Sequence, residues 1–467
     1  MARNNGLPVL GVFMSAHANE AEATGKDLDQ AHSKMLGAWL VLSAFSFMFF
    51  LVTAATFTSL GVALPYMIQD LGWDWGVAGV GFSILGIACG VSGYVPAYLI
   101  RRWGVSSTIV IGSVLLSVGF LSLFSMGTIA VPLGGSAWHV SPLMAYYLGC
   151  ALTGVGFTLV ATVPGTYVIA GCFEHRSFAF GVYFTMGGLG GVAGPALVYF
   201  AADILGDWRW HWLAMFGFTV LAAVFLLAVL NRVAINNEHD DEDEIDAVPE
   251  PSNPAVYRTQ ETWTVAQAIR TPQFMILCAA YVGFLFIGIA VNTFSVGHLQ
   301  EQGVAIGLAA LLLSGEALIN ALSRVAGGVV GEFVEPKRLL IMSLFALVLG
   351  MVALTYGTSV PTLVVYAIGI GIGYGATFLA TSVLLLNYFG HKPYLQLFAI
   401  MNLAATVGSL APFVGGFMRE ETGSFEMPFL LFTLVPLLIL LAVARMKPPQ
   451  LRGAEHASDL SPTAKAS

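Results

Sequence analysis

The sequence predicts an all-α membrane protein whose twelve transmembrane helices form two pseudo-symmetric six-helix bundles. Three observations support this fold class: the composition, the lengths of the apolar segments, and a repeat between the two halves. The 467 residues are 57% hydrophobic and only 10% charged, whereas a soluble domain carries roughly a quarter charged residues. The mean hydropathy of +0.80 agrees. The composition therefore excludes a soluble globule.

Twelve apolar segments are long enough to cross a bilayer, which takes about 20 residues in a helix. We number them spans one to twelve, with predicted limits 36–66, 76–100, 105–131, 141–171, 177–204, 212–231, 272–297, 305–331, 338–357, 361–389, 394–418 and 427–445. Segments near 30 residues imply helices that are tilted or protrude from the hydrocarbon.

The lysines and arginines predict the orientation of the chain. Of the 19, 16 fall in even-numbered loops or in the two tails. Only Arg209 and Arg419 fall in odd-numbered loops, and Arg324 lies inside a span. Because such residues concentrate on the cytoplasmic side, we expect both termini in the cytoplasm, with the spans in an inner or plasma membrane.

The domain organisation follows from the spans and from one acidic run. We predict a cytoplasmic tail (1–34), a first bundle (35–231), an acidic cytoplasmic linker (232–271), a second bundle (272–446) and a cytoplasmic tail (447–467). Between Glu238 and Asp246, seven of nine residues are acidic, which accounts for most of the net charge of −8. The sequence of residues 263–275 predicts an amphipathic helix that lies on the membrane surface.

The two halves repeat short motifs in the same order. TGVGFTLVAT (153–162) of span four matches IGIGYGATFLAT (370–381) of span ten. A glycine–proline signature predicted to pack helices recurs in spans five and eleven, with the residues Gly190, Gly194, Pro195 and Pro412. Repeated sets of six spans, with a substrate site between them near the midplane, are one transporter architecture.

With these features, the chain resembles the major facilitator superfamily over nearly its whole length. The finer pattern is similar to the monocarboxylate porter and oxalate/formate antiporter branches, in TVAQAIRTPQF (264–274), HLQEQG (298–303) and Asn320-x-x-Ser-Arg324-x-x-x-Gly328. In those branches an arginine of span eight binds the substrate carboxylate, and Arg324 falls at that position.

The chain also departs from the family pattern. Arg101 replaces the acidic gate residue of the loop between spans two and three. Span four carries no arginine, which counts against drug export. Span eleven carries no charge, which counts against a dicarboxylate.

The stretch SGEALINALSR (314–324) places Glu316, Asn320 and Arg324 at i, i+4 and i+8. They share one helix face and extend over roughly 12 Å, so Glu316 and Arg324 are not expected to meet directly. Placing a charged side chain in the bilayer centre costs about 2.5–3.5 kcal/mol. A charged residue found there is therefore expected to have a function.

A guanidinium matches a carboxylate bidentately, and a carboxylic acid in a dry site holds its proton more tightly. We therefore predict that Arg324 binds the substrate carboxylate, with Asn320 beside it, and that Glu316 carries a coupled proton. The alternatives are structural: Arg324 could hold helix-end carbonyls or Glu332, and Glu316 and Asn320 could bond neighbouring helices.

Two further groups are candidates. Tyrosines inside spans five, seven and ten are predicted to line the substrate cavity, where their hydroxyls need polar partners: Tyr183, Tyr281 and Tyr374. Contacts that gate the cytoplasmic side are predicted for Arg101, Arg102, Gly328, Glu332, Lys337 and Arg338. The alternative for the charged members is that they only set the topology. Asn292 and His298 lie near the outer end of span seven, and His298 is expected to be solvated.

The sequence thus predicts a secondary transporter that moves a small organic monocarboxylate with a proton by alternating access. An organic anion exchanger without net proton coupling is the main alternative, and a non-transporting sensor a weaker one. No nucleotide-binding loop, catalytic cluster or metal-ligand spacing of the four cysteines is evident. We expect no enzymatic activity, no cofactor or metal, no nucleic-acid partner, and a monomer in the bilayer.

Overall fold

The computed structural model of this chain describes residues 25–126, 130–133, 136–139, 141–173, 176–233, 256–331 and 334–450. In the first half the helices are Gly25–Ala55 and Phe57–Leu71 (span one), Trp75–Val91 and Val95–Phe124 (spans two and three), Pro142–Phe157 and Val163–Cys172 (span four), Arg176–Tyr199 (span five) and Arg209–Arg232 (span six). In the second half they are Pro272–Glu301, Ile306–Gly331, Pro336–Tyr356 and Val360–Phe389 (spans seven to ten), His391–Ala405 and Ala411–Thr422 (span eleven) and Glu426–Arg445 (span twelve). The acidic run 238–246 and Glu332 lie outside the described residues.

Spans two and three form one continuous apolar segment, so the described residues hold eleven such segments for twelve predicted spans. The segment Trp75–Phe124 has 50 residues, which would make a straight helix of about 75 Å, far more than the roughly 30 Å hydrocarbon core. Gly104 interrupts it with φ 83° and ψ 168°, a backbone conformation that favours glycine. The chain therefore crosses twice here, and the predicted twelve crossings stand.

Span three ends earlier than predicted. Its helix ends at Phe124 rather than at 131, and a short antiparallel hairpin follows, with Ala130–Leu133 (β1) paired to Ser136–His139 (β2). Val131 is β-branched and Pro132 cannot donate to a helix. Both therefore favour the extended pair over a further helical turn.

The predicted repeat appears as equivalent helix contacts in the two bundles. A Cβ added to Gly154 of span four would lie 2.4 Å from the Leu85 carbonyl oxygen of span two. A Cβ added to Gly371, its counterpart in span ten, would lie 2.8 Å from the Glu316 carbonyl oxygen of span eight. Each half thus packs its fourth span closely on its second, and the two bundles are pseudo-symmetric.

The segment before span seven differs from the prediction of a membrane-surface helix. It contains only the one-turn helix Val265–Ala268, which begins at Thr264 with a capping box to Gln267. Trp263 is 3% exposed and meets the Phe389 ring edge-on at the end of span ten. Its apolar side therefore packs against the second bundle.

The molecule has two ends that can be told apart by their contacts. At the terminal end, where span one begins, Gly37 packs against Val233 at the end of span six. At the opposite end, Arg209 Nη2 donates to Asp70 Oδ2 (2.7 Å), and Arg419 Nη2 donates to Glu301 Oε1 (2.7 Å). Arg209 and Arg419, the two arginines predicted in odd-numbered loops, are thus each paired with a carboxylate in their own half.

The two halves meet tightly at the opposite end. A Cβ added to Gly61 of span one would lie 1.7 Å from the Asn292 carbonyl oxygen of span seven. One added to Gly79 of span two would lie 2.3 Å from the Pro412 carbonyl oxygen of span eleven. Because backbone atoms touch at both crossings, little space remains between the halves on this side.

Candidate functional site

A cavity of about 940 Å³ lies between the two halves. Spans one, two, four and five line it on one side, and spans seven, eight, ten and eleven on the other. At its wide end it reaches Tyr94, which is 75% exposed, and Phe398 near the start of span eleven. At its narrow end it stops at Gly86 and Ser409, beyond which the halves touch. The cavity therefore opens towards the terminal end of the molecule.

The narrow end is held by polar contacts between the halves. Phe413 N donates to Ser83 Oγ (3.0 Å), and Gly76 N at the start of span two donates to Glu420 Oε1 (2.6 Å). A carboxylate at a helix N-terminus is stabilised by the unpaired N–H groups there. Glu420 thus caps a helix of the other half, a contact that the sequence did not suggest.

Arg324 lines the cavity and is the one charged side chain among the described residues that do so. Its Nε donates to Asn320 Oδ1 (3.1 Å) one turn earlier on span eight. Its Cζ lies 5.0 Å from the Phe378 ring centroid and 6.0 Å from that of Tyr374. Asn320 and the two rings hold the guanidinium. No described residue accepts a hydrogen bond from its two terminal NH₂ groups, which suit an end-on, bidentate carboxylate.

Tyr281 and Tyr374 line the same cavity, next to Arg324. The Tyr281 hydroxyl donates to Asn402 Oδ1 (2.9 Å) of span eleven. A Cβ added to Gly288 of span seven would lie 1.9 Å from the Tyr374 ring, so that ring rests directly on span seven. Two of the three predicted tyrosines are thus grouped around the predicted arginine.

Tyr183 lies elsewhere. It is fully buried, does not line the cavity, and its hydroxyl donates to the Ala161 carbonyl oxygen. A Cβ added to Gly165 would lie 2.2 Å from that hydroxyl. The structure therefore places Tyr183 between spans four and five, as a packing residue.

Glu316 is 5% exposed and lies outside the cavity lining. Among the described residues it makes no ion pair with Arg324, in line with their two-turn separation on span eight. Its electrostatic neighbours are Arg324, Tyr366 and Tyr374. Glu316 and Arg324 thus occupy different places on span eight, and only Arg324 lines the cavity.

The residues predicted to gate the terminal end make contacts within their own halves. Arg102 Nη1 donates to the Tyr98 hydroxyl (2.7 Å). Lys337 Nζ donates to the Ala444 carbonyl oxygen (3.2 Å), and Arg338 pairs with Glu335 at 3.6 Å. Arg101 is exposed, and Gly328 lies in the last turn of span eight. With the cavity open at this end, no contact between halves joins the described members of this group.

The glycines of span five face two different neighbours. Added Cβ atoms at Gly190 and Gly194 would lie 2.1 Å from Thr53 Oγ1 and 2.6 Å from Ser59 Oγ, both of span one. One added to Gly188 would lie 2.8 Å from the Ala321 Cβ of span eight. Gly190 and Gly194 thus pack within their own half, ahead of Pro195 inside the same helix, and Gly188 packs across to the helix that carries Arg324.

Sequence reasoning missed part of the cavity. Span four passes through a π-helical turn at Thr158–Thr162, whose ends face the cavity, and such turns are frequent at functional sites. Asn402 was missed as the partner of Tyr281. His298 is buried, not solvated, with Nε2 3.0 Å from the Leu354 carbonyl oxygen. No local pattern marks these positions, because helix rotation alone decides which residue faces inward.

The sequence profile of the Major Facilitator Superfamily matches residues 45–305 and 284–466. Among solved structures, the chain is similar to a D-xylose–proton symporter (TM-score 0.66, 14% identity, 88% of this chain and 98% of that one). It is also similar to a mutant nucleoside transporter (TM-score 0.64, 15% identity, 87% of this chain and 99% of that one). A third similar structure is a mutant peptide transporter in complex with sulfate (TM-score 0.62, 15% identity, 86% of this chain and 94% of that one). At these identities the similarity concerns the fold alone. No curated protein matches the chain closely enough to count as a relative.

Proposed function

Because this chain belongs to the Major Facilitator Superfamily and is a secondary transporter, not an enzyme, we propose that it moves an organic monocarboxylate, coupled to a proton, by alternating access. The observation that carries this proposal is Arg324. It is the one charged side chain lining the cavity within the described part of the chain. A single fixed positive charge in an otherwise neutral site selects one negative charge.

The setting of Arg324 supports a carboxylate in particular. The bond from Nε to Asn320 fixes the plane of the guanidinium. Its free edge then offers two parallel N–H donors, which is the geometry of a carboxylate. Phe378 lies against the cation, and beside such apolar surface this pairing is stronger than in bulk water.

Glu316 is the proposed proton carrier. It is buried and forms no ion pair with any described residue, which suits a carboxyl group that gains and loses one proton during the cycle. Ala317 and Ala321, its neighbours on span eight, face Gly191 and Gly188 of span five across the halves. When one half moves past the other, the contacts of span eight, which carries Glu316 and Arg324, therefore change.

In the proposed orientation, with both termini in the cytoplasm, the cavity faces the cytoplasm and the contacts of Gly61 and Gly79 close the outer side. Arg101, Arg102, Lys337 and Arg338 are then proposed to approach each other only when the halves close at the cytoplasmic end.

The test is uptake of labelled carboxylates into proteoliposomes, with and without an inward proton gradient. Arg324→Gln is expected to abolish uptake, because the neutral amide cannot replace the cation. Glu316→Gln is expected to keep exchange of internal for external substrate but to lose gradient-driven uptake. Arg232→Gln, an exposed residue at the end of span six, is the matched control and should transport like the wild type. Normal uptake by Arg324→Gln would refute the carboxylate site.

One observation favours the second candidate, an organic anion exchanger without net proton coupling. Glu316 does not line the cavity, so substrate and proton would not meet in this conformation. An exchanger would take up substrate only into liposomes loaded with anion, would ignore the pH gradient, and would be indifferent to Glu316→Gln.

A further inference from the structure

The cavity is lined by far more aromatic surface than a small acid needs. Seven aromatic rings besides Tyr94 face it: Phe57, Phe184, Tyr281, Phe284, Tyr374, Phe378 and Phe398. Its volume of about 940 Å³ lies near the top of the range of about 300–1,000 Å³ that holds drug-sized ligands. Such a lining stabilises an apolar body that carries rings of its own.

A second polar position lies deeper in the same cavity. Asn292 of span seven lines it, and its side-chain Oδ1 is buried with no hydrogen-bond partner among the described residues. On span eleven, Thr406 also lines the cavity, and its Oγ1 likewise has no partner among the described residues. A buried acceptor without a donor is costly, so an unpaired amide oxygen in a binding cavity points to a donor supplied by the ligand.

Asn292 is held firmly in place. Its carbonyl oxygen lies at the crossing with Gly61, where there is no room for even a methyl group. The backbone that presents the amide is thus part of the closed end of the cavity. A fixed acceptor discriminates between ligands better than a mobile one, because no reorganisation offsets the loss of a hydrogen bond.

Tyr374 links the positions of Arg324 and Asn292 and so indicates the length of the ligand. The Tyr374 ring centroid lies 6.0 Å from Arg324 Cζ, and the ring rests on Gly288. Asn292 is one helical turn, about 6 Å, beyond Gly288. A two- or three-carbon acid held by Arg324 would not reach it, whereas an acid with an aromatic ring between its two polar ends would.

We propose that the substrates are aromatic monocarboxylates with a hydrogen-bond donor, such as a hydroxyl group, at the end remote from the carboxylate, and that Asn292 is the residue that accepts from this donor. This inference rests on the proposed function, since Arg324 holds the carboxylate. It adds the apolar body and the second polar end, and it makes Asn292 a determinant of specificity.

Three ligands test it on the full-length protein in detergent: 3-phenylpropionate, its 4-hydroxy derivative and its 4-methoxy derivative. The wild type is expected to bind the 4-hydroxy acid about tenfold more tightly than the parent acid, and the methoxy acid, which cannot donate, no better than the parent. Asn292→Leu is expected to bind the hydroxy and parent acids within twofold of each other. Retained binding of the parent acid shows that this variant is folded.

Thr166→Val is the matched control. Thr166 lines the cavity, but its hydroxyl already donates to the Thr162 and Val163 carbonyl oxygens, so the preference for the hydroxy acid should persist. Should Asn292→Leu fail to fold, Asn292→Ala and the three-ligand series on the wild type give the same comparison.

The outcomes separate the two proposals. Equal wild-type affinity for hydroxy and parent acids, preference for the methoxy acid, or a preference that survives Asn292→Leu would each overturn the role of Asn292. If other carboxylates bind and none of these three does, the aromatic class is wrong while the carboxylate site stands. If no carboxylate binds, both proposals fall.

Discussion

At the scale of single residues, the site is organised around how Arg324 is held. Asn320 was predicted as a member of the site, and the structure places it as the acceptor for Arg324 Nε. Phe378 and Tyr374 restrict the guanidinium from the other side. The proposed binding energy therefore depends on residues that position the cation as well as on the cation itself.

Asn320→Leu tests this positioning. The substitution keeps the size of the side chain and removes the acceptor, so Arg324 gains rotational freedom that it must lose on binding. We expect the affinity for the best-bound carboxylate to fall about tenfold, as for the loss of one hydrogen bond to a charged group. Isothermal titration calorimetry on the purified protein measures it.

Ser323→Ala is the control for this prediction. Ser323 Oγ lies within donating distance of the Asn320 carbonyl oxygen of its own helix (2.9 Å) and of the Gly371 carbonyl oxygen of span ten (3.2 Å), and it does not line the cavity. Its loss should lower the melting temperature and leave the affinity unchanged. If Asn320→Leu binds as tightly as the wild type, Asn320 does not position Arg324.

At the scale of helices, the glycine–proline signature has a specific neighbour. Gly190 has no room for a methyl group beside Thr53 Oγ1 and the Phe50 carbonyl oxygen, which would lie 2.1 and 2.2 Å from an added Cβ. Overpacking of this kind typically costs about 1–3 kcal/mol. The signature therefore sets the distance between spans one and five.

Gly190→Ala should accordingly lower the free energy of unfolding by about 1–3 kcal/mol, seen as a lower melting temperature in detergent. Gly181→Ala on the same helix is the control, because an added Cβ there meets nothing within 4 Å. Equal melting temperatures for the two variants would contradict the packing role of Gly190.

The helices themselves were largely predictable, and what each one faces was not. The lengths of the apolar segments predicted the spans, and the matching motifs of spans four and ten predicted a repeat. The structure shows this repeat as close contacts of the matching glycines. By contrast, Tyr183 and Tyr281 are both tyrosines in apolar spans, and only one of them lines the cavity. The π-turn at Thr158–Thr162 rotates span four locally, which no residue pattern in a single sequence reveals.

At the scale of the whole molecule, the conformation is decided by where the halves touch. The crossings at Gly61 and Gly79 close one end, and the cavity is open at the other. In alternating access, the closed end would open and the open end would close. The equilibrium between them should therefore respond to changes at the closed end, far from the ligand.

Gly79→Ala adds a methyl group 2.3 Å from the Pro412 carbonyl oxygen and should favour the conformation that is open at that end. The reporter is the substitution Tyr94→Cys, at the wide end of the cavity, made in a protein that also carries Cys89→Ala. We expect thiol labelling from the terminal side to slow, because its rate follows the population of the conformation that is open there, and a shift of about 1.4 kcal/mol would lower the ratio of that conformation to the alternative about tenfold. Gly217→Ala, where an added Cβ meets nothing within 4 Å, should label at the wild-type rate; an unchanged rate in Gly79→Ala would refute the shift.

The docked segment around Trp263 has a consequence for how the protein can be made. It belongs to the core of the second bundle, and the halves recognise each other through the crossings of spans one, two, five, seven, eight and eleven. All of the contacts named for these crossings lie outside residues 234–255. Two separately synthesised polypeptides, divided within this stretch, should therefore assemble into one working transporter, which would allow each half to be labelled on its own.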